Sequence, residues 1–280
     1  MMDGRIVPEK LRAALDRLSR ARGAGGSLWK EIRCLESVGS TQQLLDSLER
    51  QGVPEGSVVI AREQTAGRGR HGRSWHSPPG LGLTLSALLR PDSPGSLVLY
   101  SLGAAVAACE AVRSLDVPAE IKWPNDLVIS GRKVGGLLVE GRMEGERIRA
   151  VLIGCGLNVS HTAADLPPEN APNATSLAMA LGEDRADVTL LCARLLDRLD
   201  ELTLLGKLLG IAPLLEIWRR LSPSSEGCAV TVREAGRLWP GVTMGIGEDG
   251  GLRVRDADGK QRSLRMTEEI SIRQEAACFS

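Results

Sequence analysis

Between Gln64 and Trp75 the chain reads Q-T-A-G-R-G-R-H-G-R-S-W and then runs into His76-Ser77-Pro78-Pro79-Gly80. Gly67, Gly69 and Gly72 formally satisfy the G-x-G-x-x-G fingerprint of dinucleotide-binding folds. That fold needs a helix to start directly after the glycines, because the helix N-terminus holds the pyrophosphate. A Ser-Pro-Pro-Gly run does not open one, since proline removes a donor and pushes its predecessor out of the helical region. Gly245, Gly247 and Gly250 fit the same fingerprint inside an evident turn, so the match carries little weight. The doubly wound dinucleotide fold is therefore rejected, and no G-x-x-x-x-G-K-[ST] is present to make a P-loop. What remains is a pliable backbone carrying Arg68, Arg70 and Arg73. One reading is a solvated basic turn. The other is a loop that closes over phosphate or carboxylate with guanidinium forks.

Hydrophobic spacing organises the rest. Leu11, Leu15 and Leu18 share one helical face within residues 9–22, and Gly-Ala-Gly-Gly ends that element. A strand is expected at Ile32–Val38, a helix from Ser40-Thr41 to Arg50, and strands at Ser57–Glu63 and Leu83–Leu89. A long helix follows over Leu97–Leu115. Strands recur at Glu120–Trp123, Val134–Val139 and Arg147–Asn158, and helices at Asp187–Leu205 and Pro213–Leu221. After Ser222 the pattern changes to short alternating strands separated by turn signals, without a helix, from Cys228 to Arg273.

Lys+Arg and Asp+Glu both number 35, so no overall field draws in nucleic acid or a membrane surface. The longest apolar run falls short of the roughly 20 residues a bilayer requires. Residues 9–22 are too charged for the apolar core of a signal peptide. The six cysteines are scattered without a C-x-x-C pair, which argues against zinc and disulfide frameworks and fits the cytoplasm. His71, His76 and His161 are taken as surface histidines.

Two further clusters carry chemistry. Lys122-Trp123-Pro124-Asn125-Asp126 ends a strand with a cation, an aromatic ring, a turn and a carboxylate; a simple turn explains Pro-Asn-Asp equally well. Lys133 then enters a strand whose next positions include Gly135 and Gly136, and Ile153–Val159 thins to Gly154 and Gly156 before Asn158. Paired glycines in strands signal close approach by a ligand or another backbone. Two such strands can form a slot for a flat, largely apolar molecule with polar ends, although core packing accounts for either strand taken singly.

These pieces resemble the biotin–protein ligase family, the enzymatic core of the biotin repressor type. The likeness rests on Ser40-Thr41, GRGRHGRSW at 67–75, KWPNDL at 122–127, KVGGLLVEG at 133–141, IGCGLNVSH at 153–161 and ATSL at 174–177, in order and spacing over residues 32–221. EEISIRQ at 268–274 resembles the end of the family's small domain. The resemblance implies an α+β fold: a mixed β-sheet flanked by helices, class II synthetase-like, with a small C-terminal SH3-like β-barrel. It implies residues 1–27 as a short N-terminal helix and linker, 28–221 as the catalytic domain and 222–280 as the SH3-like domain.

The activity implied is activation of biotin by ATP, with Mg²⁺, to biotinyl-5'-AMP. Transfer to a lysine of the biotin carboxyl carrier domain of acetyl-CoA carboxylase or a related enzyme follows. Lys133 and Arg70 are the implied catalytic residues. Ser40, Thr41 and Gln64 are implied at biotin's ureido end, beside Gln42, which stands where the family usually has asparagine and whose contact stays open. Arg68, Gly69, Arg70 and Lys133 would cover biotin, with Gly136, Gly154 and Gly156 lining the slot. Arg73, Trp75, Lys122, Asp126, Asn158 and Arg273 fall to the nucleotide side, and no metal ligand is singled out. A lipoate-type ligase is the alternative within the fold. A DNA-binding repressor is the alternative outside it, but a winged helix needs roughly 60 residues, which 1–27 do not supply, so no sequence-specific DNA or membrane partner is expected. A homodimer is left open.

Overall fold

The computed structural model describes residues 5–91, 97–183, 186–234, 236–265 and 270–274, the last five as backbone alone. Helix α1 (Pro8–Ala21) begins with proline in its first turn, where a missing N–H is no loss, and buries Leu11 and Leu15. β1 (Glu31–Leu35), α2 (Thr41–Arg50), β2 (Ser57–Ala61), β3 (Gly82–Leu89) and α3 (Leu97–Arg113) follow. Next come β4 (Ala119–Lys122), β5 (Asp126–Ile129), β6 (Arg132–Glu144) and β7 (Arg147–Asn158), then α4 (Leu177–Leu181), α5 (Val188–Leu209) and α6 (Ala212–Leu221). The seven strands form one sheet in the order β1-β2-β3-β7-β6-β5-β4. Only β1 and β2 pair in parallel, so the sheet is mixed, as expected.

Because strand side chains alternate between faces, each central strand presents two different surfaces. Val58 and Ile60 of β2, Leu83, Leu85, Ala87 and Leu89 of β3, and Val151, Ile153, Cys155 and Leu157 of β7 join one large core with α1, α3, α5 and α6. The opposite face is split. At one end, Val59, Leu88, Ala150 and Leu152 pack under Leu45 and Leu48 of α2. At the other end the same face carries mainly small or polar groups, Thr84 and Ser86 of β3, Gly154, Gly156 and Asn158 of β7 and Gly136 of β6, with Leu138 as its apolar exception. Among the described residues no helix covers that half, and it forms the floor of a cleft.

Strands β8 (Glu226–Glu234), β9 (Arg237–Ile246), β10 (Leu252–Asp256), β11 (Gln261–Leu264) and β12 (Ile270–Gln274) make a second, antiparallel sheet ordered β11-β10-β9-β8-β12. Its buried Val230, Val232, Ile246, Leu252, Val254 and Leu264 are continuous with the main core. Side-chain hydrogen bonds join the parts: Trp123 Nε1 donates to Gly250 O (3.1 Å) and Arg219 Nη2 to Ile246 O (3.2 Å).

The structure departs from the sequence expectations in several elements. The first strand stops at Leu35 and the second at Ala61, short of Val38 and Glu63. β6 runs on to Glu144, because Gly145 at φ 61° lets it turn tightly into β7. α5 continues to Leu209, leaving Leu204, Leu208 and Leu209 exposed. β5 and α4 were not foreseen at all. His161, taken as a surface residue, is only 1% exposed. It follows the end of β7 and packs near Gly82, and its carbonyl accepts a hydrogen bond from Ser176 Oγ (2.6 Å).

Burial pushes the His161 imidazole down to about 4; Asp165 opposes this and His76 adds to it. A histidine held neutral in the fold and free to protonate at its ordinary value when unfolded stabilises the fold fully above pH about 6.5. That contribution is lost as pH falls toward 4. The loss should reach about 2 kcal/mol by pH 5. Urea unfolding at pH 7 and pH 5 should therefore show a smaller acid loss for His161→Gln than for the parent chain; equal losses would show that His161 does not titrate with unfolding.

Candidate functional site

A cleft of about 1260 Å³ lies over the glycine-bearing half of the sheet. Its closed end is built by α2 and β3. Ser40 caps α2 by accepting from Gln43 N (3.5 Å), which points the helix start into the cleft. Thr41 donates through both N–H (2.8 Å) and hydroxyl (3.0 Å) to Gln64 Oε1. Ser86 Oγ donates to Gln42 Oε1 (2.9 Å) and lies 3.0 Å from Thr41 Oγ1. The amide directions follow from their neighbours. Thr41 N–H can only donate, which fixes Gln64 Oε1 as acceptor. Leu138 O, Leu152 O and Glu140 Oε2, at 3.3–3.4 Å, surround Gln42 Nε2 and accept only.

Each hydroxyl owns one hydrogen, and either can donate to the other or to its amide oxygen. The closed end gathers four oxygens able to accept, Thr41 Oγ1, Ser86 Oγ, Gln42 Oε1 and Gln64 Oε1, beside the amide and hydroxyl donors of Gln64 and Ser40. It suits a compact polar group that brings N–H donors along with an acceptor of its own.

The floor comes next. A side chain at Gly154 would meet Gln42 Oε1 at 2.9 Å, and one at Gly156 would meet the Trp75 indole at 2.5 Å. At Gly136 it would touch the Lys133 side chain and Asp126 Oδ1 at 3.4–3.5 Å. Registers Gly136↔Gly156 and Leu138↔Gly154 set these positions side by side. The slot anticipated from the glycine pairs is therefore one continuous surface.

The glycine–arginine stretch folds as a small hairpin over this floor. Gln64 bridges Ser77, Arg68 bridges Ser74, Gly69 N donates to Arg73 O (2.7 Å) and Trp75 N to Gly67 O (2.8 Å). Gly67 is held close to the facing strand, since a Cβ there would sit 2.4 Å from Trp75 O. The tip docks on the opposite wall, where Arg70 Nη1 donates to Asn125 Oδ1 (3.1 Å). Burial shifts the pKa of the Arg70 guanidinium down from its ordinary value, Asp126 opposes the shift and Arg73 reinforces it; the group stays a cation.

Among the described residues the cleft wall carries six cations, Arg68, Arg70, Arg73, Lys122, Arg132 and Lys133, against one carboxylate, Asp126. In a chain whose formal net charge is zero, this is strong local segregation. Lys133 Nζ pairs with Asp126 Oδ1 (2.6 Å) and stands 5.8 Å from the centre of the Trp75 ring. Its backbone is held by Thr175 N, which donates to Lys133 O (2.8 Å), while Asn158 Nδ2 donates to Thr175 O (3.0 Å). The Ala174–Leu177 segment thus braces both Lys133 and Asn158. Cys155 faces the core, and burial pushes its thiol up to about 12, so it offers no thiolate to the cleft. Among the described residues no three His, Cys, Asp or Glu side chains converge as a metal site.

Ser40, Thr41, Gln42, Gln64, Arg68, Gly69, Arg70, Arg73, Trp75, Lys122, Asp126, Lys133, Gly136, Gly154, Gly156 and Asn158 all line this one cleft. The Arg273 side chain lies outside the described residues, but its backbone pairs with Thr231, which reaches the cleft wall from the small sheet. Ser86 and Asn125 were not singled out. Ser86 had no signal beyond strand alternation; Asn125 stood inside a quoted motif but was absorbed into a turn.

The chain matches the biotin/lipoate A/B protein ligase family over residues 34–158. It is 37% identical over 231 residues to the bifunctional ligase/repressor BirA of Bacillus spizizenii, covering 79% of this chain and 68% of that one. It is 36% identical to the biotin–[acetyl-CoA-carboxylase] ligase of Mycobacterium tuberculosis, over 69% of this chain and 72% of that one. The solved biotin protein ligase from Aquifex aeolicus in complex with biotin and ATP superposes with a TM-score of 0.74 at 28% identity, covering 88% of this chain and all of that one.

The glycine floor makes a direct prediction. Gly156→Ala should expel the Trp75 indole, at an overpacking cost of about 1–3 kcal/mol, and raise acrylamide quenching of tryptophan emission. The increase should disappear when Trp75 is also replaced by phenylalanine; unchanged quenching in Gly156→Ala would contradict the close packing.

Proposed function

The chain belongs to the biotin/lipoate A/B protein ligase family, and from that premise we propose how its residues carry out ATP-dependent biotin–protein ligation. The supporting observation is that one cleft joins an oxygen-rich hydroxyl–amide end, a glycine floor and six cations. Biotin has the matching order. Its ureido group brings two N–H donors and a carbonyl to Thr41, Gln42, Gln64 and Ser86. Its rings lie flat on Gly154 and Gly156, and its carboxylate reaches toward Lys133. Lipoate fits less well: its dithiolane carries no N–H, and it would leave buried hydroxyls and amides without partners, which is the costly kind of mismatch.

ATP takes the remaining cationic half, with Arg73, Lys122 and Asn158 on the nucleotide and Trp75 near the adenine. Arg273 of the small domain, residues 222–280, is assigned to the nucleotide as well, since its backbone pairs with Thr231 at the cleft wall; 28–221 form the catalytic domain and 1–27 a helix and linker. The biotin carboxylate oxygen attacks the α-phosphorus, and the bond to the β-phosphate oxygen breaks to release pyrophosphate. Two anions must meet for this step, and Lys133 and Arg70 lower the barrier by strengthening their contacts as negative charge builds on the phosphoryl oxygens. The mixed anhydride is prone to hydrolysis, so the Gln64–Ser77 hairpin excludes water until the acceptor arrives. The acceptor's lysine amine then attacks the carbonyl, loses a proton and displaces AMP. Magnesium would enter this site with the nucleotide, Asp126 being the carboxylate that could help to hold it, and would supply charge neutralisation there.

The acceptor we assign is the biotin carboxyl carrier domain of acetyl-CoA carboxylase or a related enzyme. We place the chain in the cytoplasm, where its five described cysteines remain free thiols. No helix among the described residues is long and apolar enough to cross a membrane. The proposed substrate contacts come from a single chain, so a homodimer is compatible with the chemistry but not required by it.

Incubation with Mg·ATP, a recombinant carrier domain and equal amounts of biotin and lipoate should yield carrier bearing biotin alone, read by mass spectrometry. Lipoylated or unmodified carrier would overturn the assignment. Lys133→Ala should slow biotin-dependent ATP–pyrophosphate exchange by about 10²–10³-fold; near-normal exchange would reduce Lys133 to a structural residue.

A further inference from the structure

Glu140 lies just beyond the cleft, on the cleft face of β6, two residues past Leu138 and opposite Leu152. Its two carboxylate oxygens serve different parts of the site. Oε1 pairs with Arg68 Nη2 of the hairpin at 3.7 Å. Oε2 accepts from Gln42 Nε2 (3.3 Å) and pairs with Arg142 Nη2 (3.2 Å). Arg142 is itself paired with Asp46 of α2, so the carboxylate is braced from behind. The other groups that hold Gln42 Nε2 are the backbone carbonyls of Leu138 and Leu152, so among the described residues Glu140 is the side chain that ties this amide directly to the hairpin.

Resting on the ligase reading above, we propose that Glu140 is a positioning residue that couples biotin binding to closure of the glycine–arginine hairpin. One oxygen helps to hold the Gln42 amide with its carbonyl turned toward the cleft, where an acceptor is needed for a ureido N–H. The other draws Arg68, and with it the base of the hairpin, onto β6. Without the carboxylate, the Gln42 amide gains freedom to turn and the hairpin loses an anchor on the side opposite Asn125. The hairpin link is a half-exposed ion pair and is worth little alone. Its leverage comes from acting on a segment that must stay shut for the lifetime of the adenylate.

Two substitutions separate the two links. Glu140→Gln removes the charge that Arg68 feels and keeps an oxygen for Gln42. Preformed biotinyl-adenylate should dissociate about three- to fivefold faster, with the biotin KM close to that of the parent. Glu140→Ala removes both links; adenylate dissociation should rise similarly and the biotin KM should rise about tenfold, while the ATP KM and kcat stay within about twofold. In the Arg68→Gln background, Glu140→Gln should add nothing further to the dissociation rate. Additive effects there would overturn the coupling, as would a Glu140→Ala enzyme whose only defect is a lower melting temperature or kcat. Biotin binding by the parent chain, measured by calorimetry in the same series, keeps the two claims apart. A parent that binds no biotin ends the ligase reading and this proposal with it. A parent that binds biotin beside variants with unchanged kinetics ends this proposal alone.

Discussion

Three missing side chains govern this molecule. On one face, β6 and β7 contribute Leu137, Ile153, Cys155 and Leu157 to a fully packed core. On the other face the same strands offer only hydrogen at Gly136, Gly154 and Gly156. A methyl at Gly156 would overlap the Trp75 indole, and one at Gly154 would press on Gln42. The strands lose some intrinsic stability to these glycines. The apolar face offsets that, because it is buried under four helices. The site is therefore a deliberate hollow on a rigid sheet, and everything that touches substrate is arranged around it.

The second organising force is electrostatic. A chain with equal numbers of cationic and anionic residues gathers, among the described residues, six cations and one carboxylate around a single cleft. Like charges at this density repel, and the structure manages them individually. Lys133 is held by Asp126 and faces Trp75, Arg70 rests on Asn125, and Arg68 leans on Glu140. A more highly charged ligand can compete with these single partners. A polyanion entering the cleft relieves repulsion and gains charge-assisted contacts together, so binding and closure of the hairpin favour one another.

Much of this was legible in the sequence, for identifiable reasons. Pro78-Pro79-Gly80 ruled out a helix after the glycines, and the loop is a hairpin. The glycine pairs in two separate strands implied a slot, and registration puts Gly136 beside Gly156. The turn signals after Ser222 marked a second sheet. Other features left no local trace. β5 is four residues long and hides behind a Pro-Asn-Asp turn, so only its pairing with β4 and β6 defines it. Ser86 reads as an ordinary strand residue until β3 is set beside α2. His161 reads as a surface histidine until α4, itself too short to announce a helix, closes over the end of β7. The bond from Trp123 to Gly250 spans 127 residues, and no periodicity reports such a distance. Alternation and turn chemistry are local, whereas the burial of a particular group depends on which distant strand lies beside it.

The central claim is that the cationic, glycine-floored cleft makes an acyl-adenylate and then keeps it. The most direct test supplies the enzyme with biotin and ATP labelled at the α-phosphate, withholds the carrier domain and passes the mixture through a desalting column. The account predicts a near-equimolar amount of label travelling with the protein and leaving as AMP when carrier is added. Label eluting with the small molecules, or protein-bound label indifferent to carrier, would contradict it.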